Sequence, residues 1–209
     1  ANSTREHIFR CHGGRRCAWY ENDATNSTNV ASGDNTPKGT FTIRDGQYLW
    51  VVRNRSRRGQ GIFIGPLGGG DGLADTAART LYARVDGNLV EQGGQIWIEH
   101  GLAWAGIANN AIRQQGLPGF RFQYDQRFTR QVEDTIIAHN TVIDAGAKGA
   151  FLSMMRGYTG ATETKSPGVR CSLIGNLYVN AGLRPGEGTL AVLPEVADEA
   201  AAVEVARRV

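Results

Sequence analysis

The chain has 209 residues, of which 41% are hydrophobic and 21% charged, and its formal net charge is +3. This length buries a real core within one domain, and no apolar run reaches the roughly 18 residues that would suggest a membrane span. So small a net charge gives no ground for expecting a nucleic-acid partner, although residues 1–58 hold nine Arg and one Lys against five acids. A solvated charged face is the plain reading of that excess.

In chain order, one cassette recurs: apolar residues lead into an Asn and apolar residues leave it. Its copies centre on Asn22, Asn54, Asn88, Asn110, Asn140 and Asn176. The third residue before each Asn is Trp19, Val51, Val85, Ile107, Ile137 or Leu173, and the fifth before is Cys17, Leu49, Ala83, Ala105, Thr135 or Cys171. A step of two with both residues facing one way is strand periodicity. The second residue after the Asn, as in Val90, Ile112, Val142 and Tyr178, resumes the inward face; Ala24 and Ser56 do so more weakly. A second type of strand lies between cassettes, over 7–11, 40–43, 62–64, 96–98, 120–122, 151–154 and 190–193. Self-similarity at this period with β-rich units predicts a solenoid. The Asn marks a tight corner, since Asn tolerates left-handed backbone and its amide can bond the Asn of the next coil. The three cysteines, Cys11, Cys17 and Cys171, fit no zinc or CxxC spacing and read as small buried core residues. Asn-x-Ser/Thr triplets begin at Asn2, Asn26 and Asn54.

The six Asn cassettes, with segments such as 140–144 and 175–180, resemble the right-handed parallel β-helix proteins of the pectate-lyase-like superfamily, closest to its uncharacterised bacterial members. The resemblance covers residues 6–193. It implies an all-β, right-handed parallel β-helix of about six coils. The calcium-binding aspartates and Arg motif of pectate lyases are not recognisable, nor is the paired-Asp signature of polygalacturonases. Residues 194–209 read as a short helical or irregular cap, so that 1–209 forms a single domain, read as part of a longer chain. The open first coil predicts further coils or self-association at the N-terminal face. The polar first residues carry no signal peptide, as a mature secreted form also would not.

The resemblance places function on the outside of the rod, under the loops. One outward corner follows the second type of strand. Aligned on Gly14, Gly46, Gly101 and Gly157, it stacks His12, Arg44, Glu99 and Met155, with Gly13, Asp45, His100 and Arg156 alongside. The fifth coil adds Gln123, Tyr124 and Asp125. Insertions at 67–72, 126–130 and 157–161 leave the same edge, the usual place for a binding site. This mixture suits an acidic sugar, because Arg pairs with carboxylates, aromatics stack on rings, and His or Asp moves protons. The catalytic candidates are Arg44, Asp45, Glu99, His100, Tyr124, Asp125 and Arg156. Candidates for holding substrate are His12, Trp97, Arg127, Arg130 and Tyr158, with Trp104 near them. Plainer readings stand beside these: Arg44 with Asp45 as a corner ion pair, His100 as a turn residue and His139 as structural. No cofactor is expected, calcium at Asp71 being a minor option beside a flexible turn. The function expected is that of a secreted or cell-surface carbohydrate-active β-helix that binds an acidic polysaccharide. Cleavage would follow β-elimination or hydrolysis. The alternative is a non-catalytic structural or surface-assembly module.

Overall fold

The computed structural model describes residues 8–25, 39–66, 79–92, 94–99, 101–114, 118–125, 131–144, 150–157, 168–180 and 189–192. Among these, the regular elements are all β-strands and they pair in parallel to form a β-solenoid. The region 194–209, expected to form a cap, lies outside them.

The winding has three sheets where the sequence reading separates two strand types. The first sheet runs Phe9–His12, Phe41–Arg44, Gly61–Ile64, Gln95–Glu99, Pro118–Asp125, Ala150–Gly157 and Thr189–Val192. The second contains Ala18–Tyr20, Gln47–Val52, Thr80–Asp86, Gly106–Ala108, Ile136–Ala138 and Ser172–Ile174, with short strands such as Leu102–Ala103 beside them. The third stacks Asp23–Thr25, Arg55–Arg57, Leu89–Glu91, Ala111–Gln114, Thr141–Asp144 and Leu177–Asn180. The Asn of each cassette breaks it in two, so the inward residues before and after it belong to different sheets.

The core follows the inward positions. Leu49, Val51, Val85, Val90, Ile107, Ile112, Ile137 and Val142 are fully buried, and Phe41, Ile62, Ile96, Phe120 and Leu152 meet them from the first sheet. Full burial of such a side chain stabilises by about 1.5–3 kcal/mol. Ala24 and Ser56 are inside as well; the Ser56 hydroxyl donates to Thr40 Oγ1 at 2.9 Å, which satisfies it in the core.

At the corner the Asn residues form a continuous ladder. Their Nδ2 groups donate to the next Asn Oδ1 over 2.8 Å (Asn22 to Asn54), 3.2 Å (Asn54 to Asn88), and 2.9 Å for each pair from Asn88 to Asn176. Each Oδ1 also accepts the backbone N–H of the preceding Asn. The second Nδ2 hydrogen reaches the carbonyl of the inward residue one coil earlier, as from Asn140 to Ile107 at 2.9 Å. The left-handed residue, however, is the one before the Asn: Glu21, Arg53, Gly87, Asn109, His139 and Gly175 have φ between 53° and 65°. The Asn is spared that conformation because its amide must point inward along the stack. Asn54 is 2% exposed in this ladder, so its Asn-x-Ser triplet offers no accessible amide.

The cysteine expectation is corrected in part: Cys17 and Cys171 pack, partly buried, against the core. Cys11 and Cys17 form a disulfide, and Cys171 is the free thiol. Gly14 makes this bond compatible with the corner, since a Cβ there would stand 2.2 and 2.3 Å from the two sulfurs. Burial pushes the Cys171 thiol above its ordinary value.

Candidate functional site

The corner column expected in the sequence exists in register. His12 pairs with Arg44, Glu99 with Gln123, and Gln123 with Met155. The fifth coil's register is thereby set, with Tyr124 opposite Arg156 and Asp125 opposite Gly157. His100, Arg127, Arg130 and Tyr158 lie outside the described residues, as do Asp71 and the insertion residues 67–72, 126–130 and 158–161.

This column is not the open groove expected. Arg44 and Glu99 are each 9% exposed and form an ion pair with one another. Gly65 occupies the coil between them; its φ of +147° and the 2.5 Å that would separate its Cβ from that of Glu99 leave room only for glycine. Arg44 also donates to the Pro66 carbonyl at 3.0 Å. Burial lowers its pKa to about 10, against the opposing pull of Asp45. The expected Arg44–Asp45 corner pair is therefore replaced: Arg44 holds Glu99, and Asp45 faces His12 with 2.7 Å between Oδ2 and Nε2. Trp97 is likewise buried. The Arg121 guanidinium lies 3.8 Å from its ring centroid, and burial lowers the Arg121 pKa to about 10. Arg44, Glu99 and Trp97 lie on a sheet buried on both faces, because Thr42, Phe63 and Trp97, on the side away from the core, are as inaccessible as Ile62 and Ile96.

The exposed chemistry lies around the second sheet. The residues six before each Asn form a column of left-handed corners: Arg16, Tyr48, Tyr82, Trp104, Asp134 and Arg170, with φ from 47° to 60°. Such a conformation is costly for bulky side chains, and stacking down the column offsets the cost. Tyr48 and Tyr82 stack at 4.9 Å, and Tyr82 and Trp104 at 5.1 Å. At the far end Arg170 makes a two-toothed contact with Asp134 at 2.6 and 2.8 Å, which holds the Asp134 carboxyl below its ordinary value. Because the rings cover one another's faces, this column is a wall that shows edges.

A free aromatic face stands beside the wall. Trp50 is 56% exposed, and its register neighbours are Ala18 on one side and Arg84 on the other. Ala18 is too small to cover the indole, so a hollow opens on each side of it. One, of about 450 Å³, is lined by Arg15, Arg16, Ala18, Tyr48 and Trp50. The other, of about 500 Å³, is lined by Ala18, Trp19, Tyr20, Trp50, Val52, Arg53 and Arg84. Shared walls at Ala18 and Trp50 make the two a single cleft. Arg53 is held in place by donating to Tyr20 Oη at 2.6 Å and Glu21 Oε1 at 3.1 Å. Arg84 is held by Asp86, which also accepts from Asn109 Nδ2 at 2.9 Å. The cleft can stack a flat apolar ring face on the indole while guanidinium groups donate to oxygens at the rim.

Sequence reasoning missed this site because it looked for outward chemistry only at the corner after the second type of strand and followed the Asn cassettes for their inward positions, three and five before the Asn. The signal was present at the positions between and beyond them. Four and six before the Asn, the second coil reads Trp50 and Tyr48, and the same Asn alignment lines up the whole wall. Among the described residues no group of three or more His, Cys, Asp or Glu side chains is placed to hold a metal. No protein-family model, curated protein or solved structure matches this chain.

Proposed function

We propose that the chain is a carbohydrate-binding β-solenoid that takes an acidic polysaccharide on the outer side of its second sheet, at the cleft around Trp50. The observation that carries this reading is an exposed indole framed by four arginines, Arg15, Arg16, Arg53 and Arg84, over the floor of Ala18. Sugar rings present C–H faces that stack on aromatic rings, and uronate or sulfate groups pair with guanidinium. The sequence-based expectation of an acidic saccharide ligand is kept, and its place on the rod moves from the first corner to the second sheet. Binding is the reading favoured here over cleavage, because Glu99, a candidate for proton transfer, is engaged by Arg44 away from solvent.

The same proposal takes the solenoid as six right-handed coils of the pectate-lyase-like kind, closed by a cap over 194–209. The six Asn rungs support the count, and the strong right-handed preference of parallel crossover connections supports the hand. A secreted or surface location is supported by the Cys11–Cys17 disulfide, since such bonds persist in oxidising compartments.

The test is equilibrium binding to a panel of acidic and neutral polysaccharides, with reducing-sugar release and ultraviolet absorbance of unsaturated uronates followed in parallel. Wild-type protein binds acidic polymers with salt-sensitive affinity. Trp50→Ala weakens binding about tenfold or more, as loss of a central aromatic anchor does. Unchanged binding by Trp50→Ala would refute the assignment of the cleft.

A further inference from the structure

The two halves of the cleft differ in charge. In the first hollow, Arg15 and Arg16 have no acidic partner among the described residues; the Arg15 guanidinium only approaches the Tyr48 ring, at 5.9 Å from its centroid. In the second hollow both guanidinium groups are already answered by carboxylates, Arg53 by Glu21 and Arg84 by Asp86. The first hollow is therefore an uncompensated cationic site, and the second is polar but near neutral.

From this asymmetry we propose that the cleft recognises a saccharide in which an acidic unit adjoins a neutral one. The acidic unit lies in the Arg15–Arg16 hollow, and the neutral unit lies in the hollow of Tyr20, Arg53 and Arg84, with Trp50 between them. The proposal rests on the carbohydrate reading above and narrows it to a class: polymers that alternate uronate with neutral hexose, rather than uninterrupted polyuronates. A carboxylate placed beside Arg15 and Arg16 forms charge-assisted hydrogen bonds with groups that otherwise face water. A carboxylate placed in the second hollow meets guanidinium groups whose charge is spent on Glu21 and Asp86, so its desolvation is not repaid. A neutral sugar suits that hollow, because hydroxyls both donate and accept. Each guanidinium keeps N–H donors beyond those its carboxylate uses, and Glu21 and Asp86 supply acceptors at the margin.

The experiment is titration calorimetry of the full chain with three oligosaccharides of matched length: an alternating uronate–neutral hexose oligomer, a homopolymeric uronate and a neutral oligomer. A single-stranded oligonucleotide serves as a fourth polyanionic probe. The alternating oligomer binds about tenfold more tightly than the polyuronate, the scale of one charge-assisted hydrogen bond. The Arg15→Gln/Arg16→Gln pair, which keeps polar side chains at both positions, brings the alternating oligomer down to the level of the neutral one. The Glu21→Gln/Asp86→Asn pair strips the compensation from the second hollow and raises polyuronate affinity relative to the alternating oligomer. Equal or tighter binding of the polyuronate by wild-type protein overturns the proposal. So does a preference that survives both pairs of substitutions, or tighter binding of the oligonucleotide than of any saccharide. If saccharides bind without discrimination and Trp50→Ala still removes the binding, only this inference falls. If no saccharide binds, the carbohydrate reading falls with it.

Discussion

Replacing Asn140 by Leu tests the ladder at one of its buried rungs. Asn140 is 1% exposed, and its side chain makes four hydrogen bonds. Nδ2 donates to Asn176 Oδ1 and the Ile107 carbonyl, each at 2.9 Å. Oδ1 accepts the backbone N–H and Nδ2 of Asn110, again each at 2.9 Å. Leucine is close in shape but removes all four. Asn176 Oδ1 keeps one donor, the backbone N–H of Asn140 at 2.9 Å. Two groups are then orphaned in the interior, the Asn110 N–H and one Asn110 amide hydrogen, while the Ile107 carbonyl keeps its place in the ladder with Ile136–Ala138. At the lower end of the cost of a buried unsatisfied group, about 1 kcal/mol each, the loss is about 2 kcal/mol. Asn22 supplies the internal control. It lies at the first rung, partly exposed, and Asn22→Leu removes one of the two donors to Asn54 Oδ1, which keeps the backbone N–H of residue 22 at 3.0 Å, and otherwise deprives only the Tyr20 carbonyl. Its cost is accordingly about 1 kcal/mol or less. Urea denaturation of the two variants beside wild type measures the difference through the midpoint at constant slope. Equal losses at the two positions would refute the view that stability here depends on burial of a connected amide ladder.

Two further outcomes follow from the charged groups. Glu99→Ala leaves Arg44 buried without its carboxylate and costs about 3 kcal/mol, whereas Arg44→Met/Glu99→Leu together recovers most of that loss; a double-mutant cycle by chemical denaturation with no coupling between the two sites would contradict the pairing across Gly65. Stability also falls in acid. At Asp86 burial pushes the carboxyl upward, but hydrogen bonds from Asn109 and Arg84 outweigh it, while at Asp134 the Arg170 guanidinium dominates, so both folded values lie below the ordinary 3.8. The unfolded chain then binds more protons, and the contribution present above about pH 4 is lost as pH falls through the folded values. Thermal unfolding followed between pH 7 and about pH 2 shows this decline, with Asp86→Asn flattening it; parallel curves for the two proteins would remove Asp86 as a cause.

The sequence by itself determined the parts of this protein that depend on local periodicity. A step of two into Asn140 through Thr135 and Ile137, repeated at the other five cassettes, fixes which side chains turn inward and hence the parallel β-solenoid. It also placed the Asn ladder, because an apolar-flanked amide has no partner except its copy in the next coil. Only the tertiary structure decided what the outward residues do. Each depends on neighbours that the winding brings together and whose side-chain directions no local pattern encodes. Arg44 passes over Gly65 to Glu99 in place of the adjacent Asp45, and Cys11 turns back across Gly14 to Cys17. Trp97 and Trp50 are both outward tryptophans on a strand, yet one is 4% exposed and the other 56%. Strand alternation assigns a side chain to a face; whether that face meets solvent depends on what packs over it. Trp50 is left open because its neighbour in the stack is Ala18, a relation between residues 32 positions apart that winding of the chain creates.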